Sequence, residues 1–401
     1  MKNVEVELYK TKKILNAHKD SDKGWFWVRY SAYPYKGCSN GCRYCYEWDQ
    51  KYAPHKDYRL LDKIVMVKEN SVELLRKELA RQPRDVACVG SWQPVEAQYM
   101  LSRKMLEVVY ELKFPLMIIE RAPLLCRDID ILSDISRETD AYVGYTIVAT
   151  RDDATRLLFE PRGPSVKGRF QAMKRIADAG ILIGTLAMPI LPFIFDSDEE
   201  LRTLVKMTAD SGGRFVLFGG LTLWGTCKTV YYETLERAHC AFPSGFPQEA
   251  RSVLENGAIL WGKKTEEWDT NKAKKAKWVR RCHITIAEEC AKQGINHFIP
   301  RPVSFSPPEL QYNKQLAGKL YFKMRDIQML GESSYRSMAY FRAGRTIDNL
   351  AVDIRELYKE KGKPGLLALE SIGDKLGGEI ENSIKEAVLD ESQKGSKVLN
   401  E

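Results

Sequence analysis

The sequence predicts an α/β protein of about six β/α units, followed by a small all-α module. Three observations lead there. Strand-length apolar runs alternate with longer amphipathic runs from Phe26 to about Phe218. The composition, 44% apolar and 29% charged, is that of a folded chain and excludes a disordered or collagen-like one. Beyond residue 331 the pattern changes to helices with few aromatics. At roughly 100–200 residues per domain, the 401 residues make room for two or three domains.

In order along the chain, residues 1–25 read as a polar lead-in. Residues 26–220 carry strand candidates at 26–31, 86–90, 116–120, 141–148, 182–188 and 215–218. Helical patterns lie between them: NSVELLRKELA, YMLSRKMLEVVYEL and RFQAMKRIADAG, the last closed by Gly180. Strand–helix–strand repetition of this kind builds a parallel sheet, with functional side chains at the C-terminal strand ends. Residues 221–331 read as a partly basic helical region completing that domain, with the run KAKKAKWVRR at 272–281. A linker near 331–334 then separates a helical domain, 332–401.

Sixty-two basic against fifty-four acidic residues leave a charge of +8, which suits a polyanionic partner without requiring one. There is no signal-peptide pattern at the N-terminus and no run of 18 apolar residues, so a cytoplasmic protein with no membrane partner is expected. Three of the nine cysteines crowd together and the rest scatter, which points to reduced thiols and a local metal site, not to a disulfide scaffold.

That crowd is KGCSNGCRYCYEW: Cys38, Cys42 and Cys45, spaced Cys-x3-Cys-x2-Cys. Three thiolates this close can hold three corners of an iron–sulfur cubane and leave one iron without a protein ligand. A structural zinc would need a fourth ligand, and His55 is loosely spaced for it. Gly37 and Gly41 suit a chain wrapped tightly round an inorganic core.

With its context AYPYKGCSNGCRYCY, this motif resembles the radical S-adenosylmethionine superfamily, in the branch of spore photoproduct lyase and DNA repair photolyase-like proteins. The likeness runs on through ACVGSWQPVEAQYMLSRKMLEVV, RDIDIL, RLLFEPRGPSVKGRFQAMKRIADAGI and AMPILP, over roughly residues 26–220. It implies a partial (β/α)6 barrel, a [4Fe–4S] cluster on Cys38, Cys42 and Cys45, and S-adenosyl-L-methionine on the open iron. The implied activity is formation of a 5′-deoxyadenosyl radical for lyase-like repair of a pyrimidine-type DNA lesion. Ferredoxin or flavodoxin would be the electron donor. Radical modification of RNA, a peptide or a small metabolite is the first alternative; the second is a nucleic-acid-binding protein with a structural or redox-sensing cluster.

The same resemblance implies roles for single residues. Tyr44 and Tyr46 would lie near the cofactor, Tyr46 relaying a hydrogen atom, and Cys88 would donate one; a buried core thiol is the other reading of Cys88. Ser91 would contact the cofactor. Arg121 would reach its carboxylate, where relatives often carry Lys, with Glu120 as a departure that must pair with Arg121 or with the amino group or ribose. Arg156 and Glu160 would pair at the cofactor edge or hold the loop, and Met188 would bracket the adenine. Relatives usually show Pro-Gly where this chain has Pro192-Phe193.

In the tail, LESIGDKLGGEI resembles a helix-hairpin-helix motif, and SYRSMAYFRAGRTIDNLAVDIRELYKEKG resembles the helices before it in the small lyase domain of family X DNA polymerases. The likeness implies nucleic-acid backbone binding at Ile372, Gly373 and Lys375, to DNA and equally to RNA. Two features depart from it: Ser371 stands where the first Gly is usual, and residues 331–401 hold 11 basic against 13 acidic residues.

Overall fold

A computed structural model describes residues 4–221, 223–241 and 272–398. The chain divides into two compact units, 1–299 and 300–401.

The first unit contains strands β1 (Glu5–Tyr9), β2 (Asn16–Ala17), β3 (Tyr30–Ala32), β4 (Tyr35–Lys36), β5 (Ile64–Lys68), β6 (Ala87–Val89), β7 (Leu116–Glu120), β8 (Ala141–Thr146), β9 (Leu182–Ala187) and β10 (Val216–Phe218). Its helices are α1 (Ser71–Leu79), α2 (Glu96–Tyr99), α3 (Leu101–Glu111), α4 (Ile129–Glu138), α5 (Ala154–Phe159), α6 (Val166–Asp178), α7 (Asp198–Asp210), α8 (Gly225–Ala241) and α9 (Lys272–Gln293). The main sheet has the order β10-β9-β8-β7-β6-β3-β2. From β3 to β10 every pairing is parallel, and β2 closes the edge antiparallel to β3. The six expected strands are therefore present and neighbour one another in sequence order. They run as apolar stretches because both faces are covered; all six residues of β8 are buried.

The helices start and stop as their ends dictate. Ser165 caps α6 by accepting from Gly168 N–H, and Gly180, at φ +78°, ends it. Ser197 caps α7 by accepting from Glu200 N–H, and Asp198, Glu199 and Glu200 place negative charge at the positive end of its dipole.

Two expectations need correction. The first 25 residues are no lead-in: β1 pairs in parallel with β5, and β5 with β4, as a second, three-stranded sheet. Its core is Tyr35, Val65, Val67, Val95 and Leu101, with Val4 and Val6 packed on it. The first strand of the main sheet begins later than expected, at Tyr30. The run at 272–281 lies on α9, a helix as expected, which packs on α7; the indole N–H of Trp278 donates to Asp196 (2.6 Å) and Arg281 pairs with Asp196 and Asp198. Those two side chains are structural.

The second unit holds α10 (Gln311–Met329), α11 (Ser334–Asp348), α12 (Ile354–Leu367) and α13 (Asp374–Val398). The expected linker at 331–334 is a turn within it, because α10 and α11 pack along each other and Gly344 lets Tyr321 lie against the α11 backbone. Asp348 takes Arg301 and Lys314, and Asn313 both donates to Val352 O and accepts from Ile354 N–H. The tail is not all short helices either, since α13 spans 25 residues.

Candidate active site

The three cysteines occupy the long loop between β4 and β5. Gly37 opens it at φ +85°, where a Cβ would stand 2.2 Å from the Ile64 carbonyl oxygen, so the loop can press on β5 only with glycine there. Cys38 N–H donates to Leu61 O (2.9 Å). On one side buried Gln93 grips the loop, accepting from Ser39 N–H (3.2 Å) and donating to Gly37 O (2.9 Å). On the other, Arg162 donates to Ser39 O (2.5 Å) and to Asp62 (2.7 Å). The N-terminal turn of α8 supports the far end, where Thr226 donates to Trp48 O and Cys227 Sγ to Tyr46 O.

Every described cysteine is a free thiol. Burial pushes Cys38 up to about 12 and raises Cys42 and Cys45 as well, so bare thiolates are disfavoured there and a cationic core between them would stabilise all three. The sulfurs do not all come within 4.8 Å of one another. Thiolates round one tetrahedral zinc would be only ~3.8 Å apart, given Zn–S of about 2.3 Å. Three thiols within eight residues, and Ser39 Oγ buried in the same loop with no hydrogen-bond partner, suit an iron–sulfur core.

Behind the loop lies a buried ionic network. Glu160, fully buried, accepts from Tyr44 OH, Arg121 (3.1 Å), Arg156 (3.1 Å) and Arg169. Burial alone would raise its carboxyl, but Arg169, Arg121 and the Tyr44 hydrogen bond hold it down to about 2. Arg121 Nη1 also donates to Cys42 Sγ (3.0 Å) and Tyr44 OH (2.8 Å). Its Nε and Nη2 make no hydrogen bond among the described residues.

At the C-terminal ends of the parallel strands is a cavity of about 440 Å³. Cys38, Cys45, Tyr44, Tyr46, Glu47, Ser91, Glu120, Arg121 and Met188 are in its wall, with Tyr33, Gln93 and Pro189. No family model matches the chain. Among curated proteins it is similar to an uncharacterized protein of Mycobacterium tuberculosis, at 28% identity over 239 residues, 58% of this chain and 69% of that one. It is similar also to an uncharacterized protein of Methanocaldococcus jannaschii, at 26% over 194 residues, 48% of this chain and 70% of that one. Among solved structures it is similar to a spore photoproduct lyase mutant with bound AdoMet and dinucleoside spore photoproduct (TM-score 0.49, 13% identity, 73% of this chain and 80% of that one). Methylornithine synthase gives a TM-score of 0.34 at 14% identity, over 67% of this chain and 82% of that one.

The cavity gathers most of the residues singled out from the sequence, but not all. Arg156 and Glu160 do not line it; they lie behind it, where charge complementarity fixes Tyr44 and Arg121. Glu120 is not free for a ligand's amino group or ribose, because its carboxylate accepts from the N–H groups of Trp92 (2.6 Å), Arg121 (2.7 Å) and Ala122 (3.2 Å). Cys88 lines a neighbouring hollow with His18, Asp20 and Asp22. Tyr33, Phe26 and Ile119 border both spaces, and Tyr33 OH lies 3.4 Å from Cys88 Sγ. Burial pushes that thiol up to about 11.

In the second unit, the Ile372 side chain is buried and its N–H is spent on Leu369 O, so it is an anchor of the turn and has no N–H to offer a phosphate. Gly373 and Lys375 are exposed, and a Cβ at Gly373 would meet nothing within 4 Å. The two departures from the relatives' glycines share a conformation: Phe193 has φ 65° and Ser371 φ 64°. Both lie in the left-handed region, which favours glycine.

Sequence reasoning missed Tyr33, Gln93, Glu47, Arg162 and Arg169. All five lie in or beside the quoted motif blocks, and Arg162 and Arg169 stand with Arg156 as three arginines close to Glu160.

Proposed function

We propose that the chain is a radical S-adenosylmethionine enzyme acting on nucleic acid, with a [4Fe–4S] cluster on Cys38, Cys42 and Cys45 and the cofactor in the adjoining cavity. The observation that carries the reading is the set of three free thiols in one short loop, with Cys38 and Cys45 in the wall of a cavity that Arg121 also lines while it donates to Cys42 Sγ. When bound, that pair supplies one-electron cleavage of a sulfonium carbon–sulfur bond and hydrogen-atom abstraction.

The chain's own residues hold and shield. Arg121 receives a carboxylate on its free edge while Glu160 and Tyr44 fix the other. Met188 and Pro189 form an apolar wall for the adenine, Ser91 offers a hydroxyl, and Tyr33 and Tyr46 keep water from the reacting atoms. Cys88, protonated at neutral pH, has an S–H to give, by way of the Tyr33 hydroxyl it touches. The finer reading is lyase-like repair of a pyrimidine-type DNA lesion, with the α12–α13 hairpin holding the backbone through Gly373 and Lys375 and a ferredoxin or flavodoxin as reductant. RNA would serve the same backbone contacts.

Anaerobic reconstitution tests the core of this. About four iron and four sulfide per chain, and 5′-deoxyadenosine formed under reduction, are the expected results. Cys42→Ala should abolish both. Stoichiometric zinc with no iron uptake would refute the proposal.

A further inference from the structure

Beside the cavity, the three-stranded sheet turns an unusual set of charges outward. In the β4–β5 register Lys36 faces Met66 and Tyr35 faces Val67. Val65 and Val67 are buried in the core of that sheet, so Met66, Lys36 and Lys68 lie on its other face. Lys56 joins them from the turn Pro54–Lys56: the Pro54 ring lies 3.0 Å from where a Gly37 Cβ would be, which sets that turn against the residue after Lys36. Lys68 Nζ donates to the carbonyl of Tyr33, a residue of the cavity wall (2.7 Å).

Among the described residues no carboxylate oxygen lies within 4.0 Å of the ammonium of Lys36, Lys56 or Lys68. Glu5 and Glu7 share that face through their register with Ile64 and Met66, and His55 pairs with Glu7 at 2.8 Å. Burial, and then the charge of Lys36, bring Lys68 down to about 8, with the Glu47 carboxylate acting the other way. The chain also spends backbone energy here, since His55 and Lys56 both sit in the left-handed region, at φ 50° and 59°. Gathered like charges, one of them in a strained turn, are unfavourable unless an anion joins them.

Aromatic rings border the cavity whose wall residue Tyr33 is held by Lys68. Tyr33, Tyr46 and Tyr52 are 37%, 48% and 38% exposed, and Tyr46 meets Tyr52 edge to face at 5.4 Å. Lysines that make no ion pair within 4.0 Å among the described residues, beside exposed tyrosines, are the two parts of single-strand recognition, phosphate pairing and base stacking. An acidic protein would use the cations but has no need of the rings.

The geometry points to a phosphodiester cradle on the small sheet, in which Lys36, Lys56 and Lys68 hold the backbone of a nucleic-acid substrate whose bases meet Tyr33 and Tyr46 at the cavity mouth. It rests on the nucleic-acid part of the function above, not on the cluster, which iron content and 5′-deoxyadenosine formation judge separately. It also puts the contact on the catalytic unit, apart from the hairpin of the second.

The test is fluorescence anisotropy of the full chain with a labelled single-stranded 12-mer across a salt series. For K36Q/K56Q/K68Q the slope of log affinity against log salt should shrink by about 2, at ~0.7 per neutralised phosphate. Lys56→Gln alone, on an exposed side chain, should shrink it by about 0.7 and stays readable if the triple variant folds poorly. Wild-type slopes in both variants would overturn the cradle and leave the lysines to an acidic protein partner. Displacement of the 12-mer by inorganic phosphate at matched phosphate concentration would overturn it too, in favour of a small-phosphate site.

Discussion

Replacing Glu160 by Gln keeps the shape of the side chain and removes the one negative charge that Arg121, Arg156 and Arg169 share. The carboxyl is held at about 2 against an ordinary value of 4.5, and at 1.36 kcal/mol per unit the ionised form contributes roughly 3 kcal/mol. That agrees with the ~3–5 kcal/mol lost when one partner of a buried pair is removed. Because the folded-state value is depressed, this stability is fully present above about pH 4.5 and is lost as pH falls toward 2. All eight tryptophans precede residue 300, so tryptophan fluorescence in urea reports the first unit alone. Glu160→Gln should unfold about 3 kcal/mol more easily at pH 7 and lack the wild type's further loss between pH 5 and 2.5. A variant within 1 kcal/mol of wild type at pH 7, with the same acid dependence, would show that the carboxylate is not the charged centre of the network.

Three further outcomes are expected. Arg121→Ala should weaken S-adenosylmethionine binding by about 1.5–3 kcal/mol, measured by titrating the cluster's EPR signal; unchanged affinity would assign Arg121 to the scaffold. Ser371→Gly should stabilise the second unit by about 0.5–1 kcal/mol in thermal melts followed by circular dichroism, by relieving the φ of 64°, whereas Ser371→Ala should not. Gly373→Val, where a Cβ meets open space, should leave melting within ~0.5 kcal/mol yet reduce duplex affinity nearly uniformly across base sequences. Equal affinity would leave the hairpin as a packing element.

The main sheet was legible because its strands are covered on both faces and so read as apolar runs; AYVGYT and LIGTLA could hardly be anything else. The small sheet was missed although VEVEL alternates with period two and IVMVK is a strand-length run. Being half exposed, it mixes charge into its strands and so passed for polar lead-in and loop. At the candidate site, one short motif announced the thiols and the strand ends placed Ser91, Arg121 and Met188 along the cavity. What could not be read was contact across distance. Gln93 reaches Gly37 over 56 residues, and Arg162 reaches Asp62 over 100, with no local pattern at either end. The same limit hid the fate of Glu120, whose charge is absorbed by backbone amides that no sequence displays.

The pairing of Tyr44 with Glu160, 116 residues later, has a consequence during synthesis. At roughly 5–20 residues per second, the thiols leave the ribosome some six to twenty seconds before the arginines and the glutamate that enclose them. Over that interval the cysteines lack the buried network behind them and are open to air oxidation. Oxygen exposure should therefore harm the growing chain more than the finished one. Yield of intact thiols should depend on how anaerobic the expression culture is, and much less on how anaerobic the purification is.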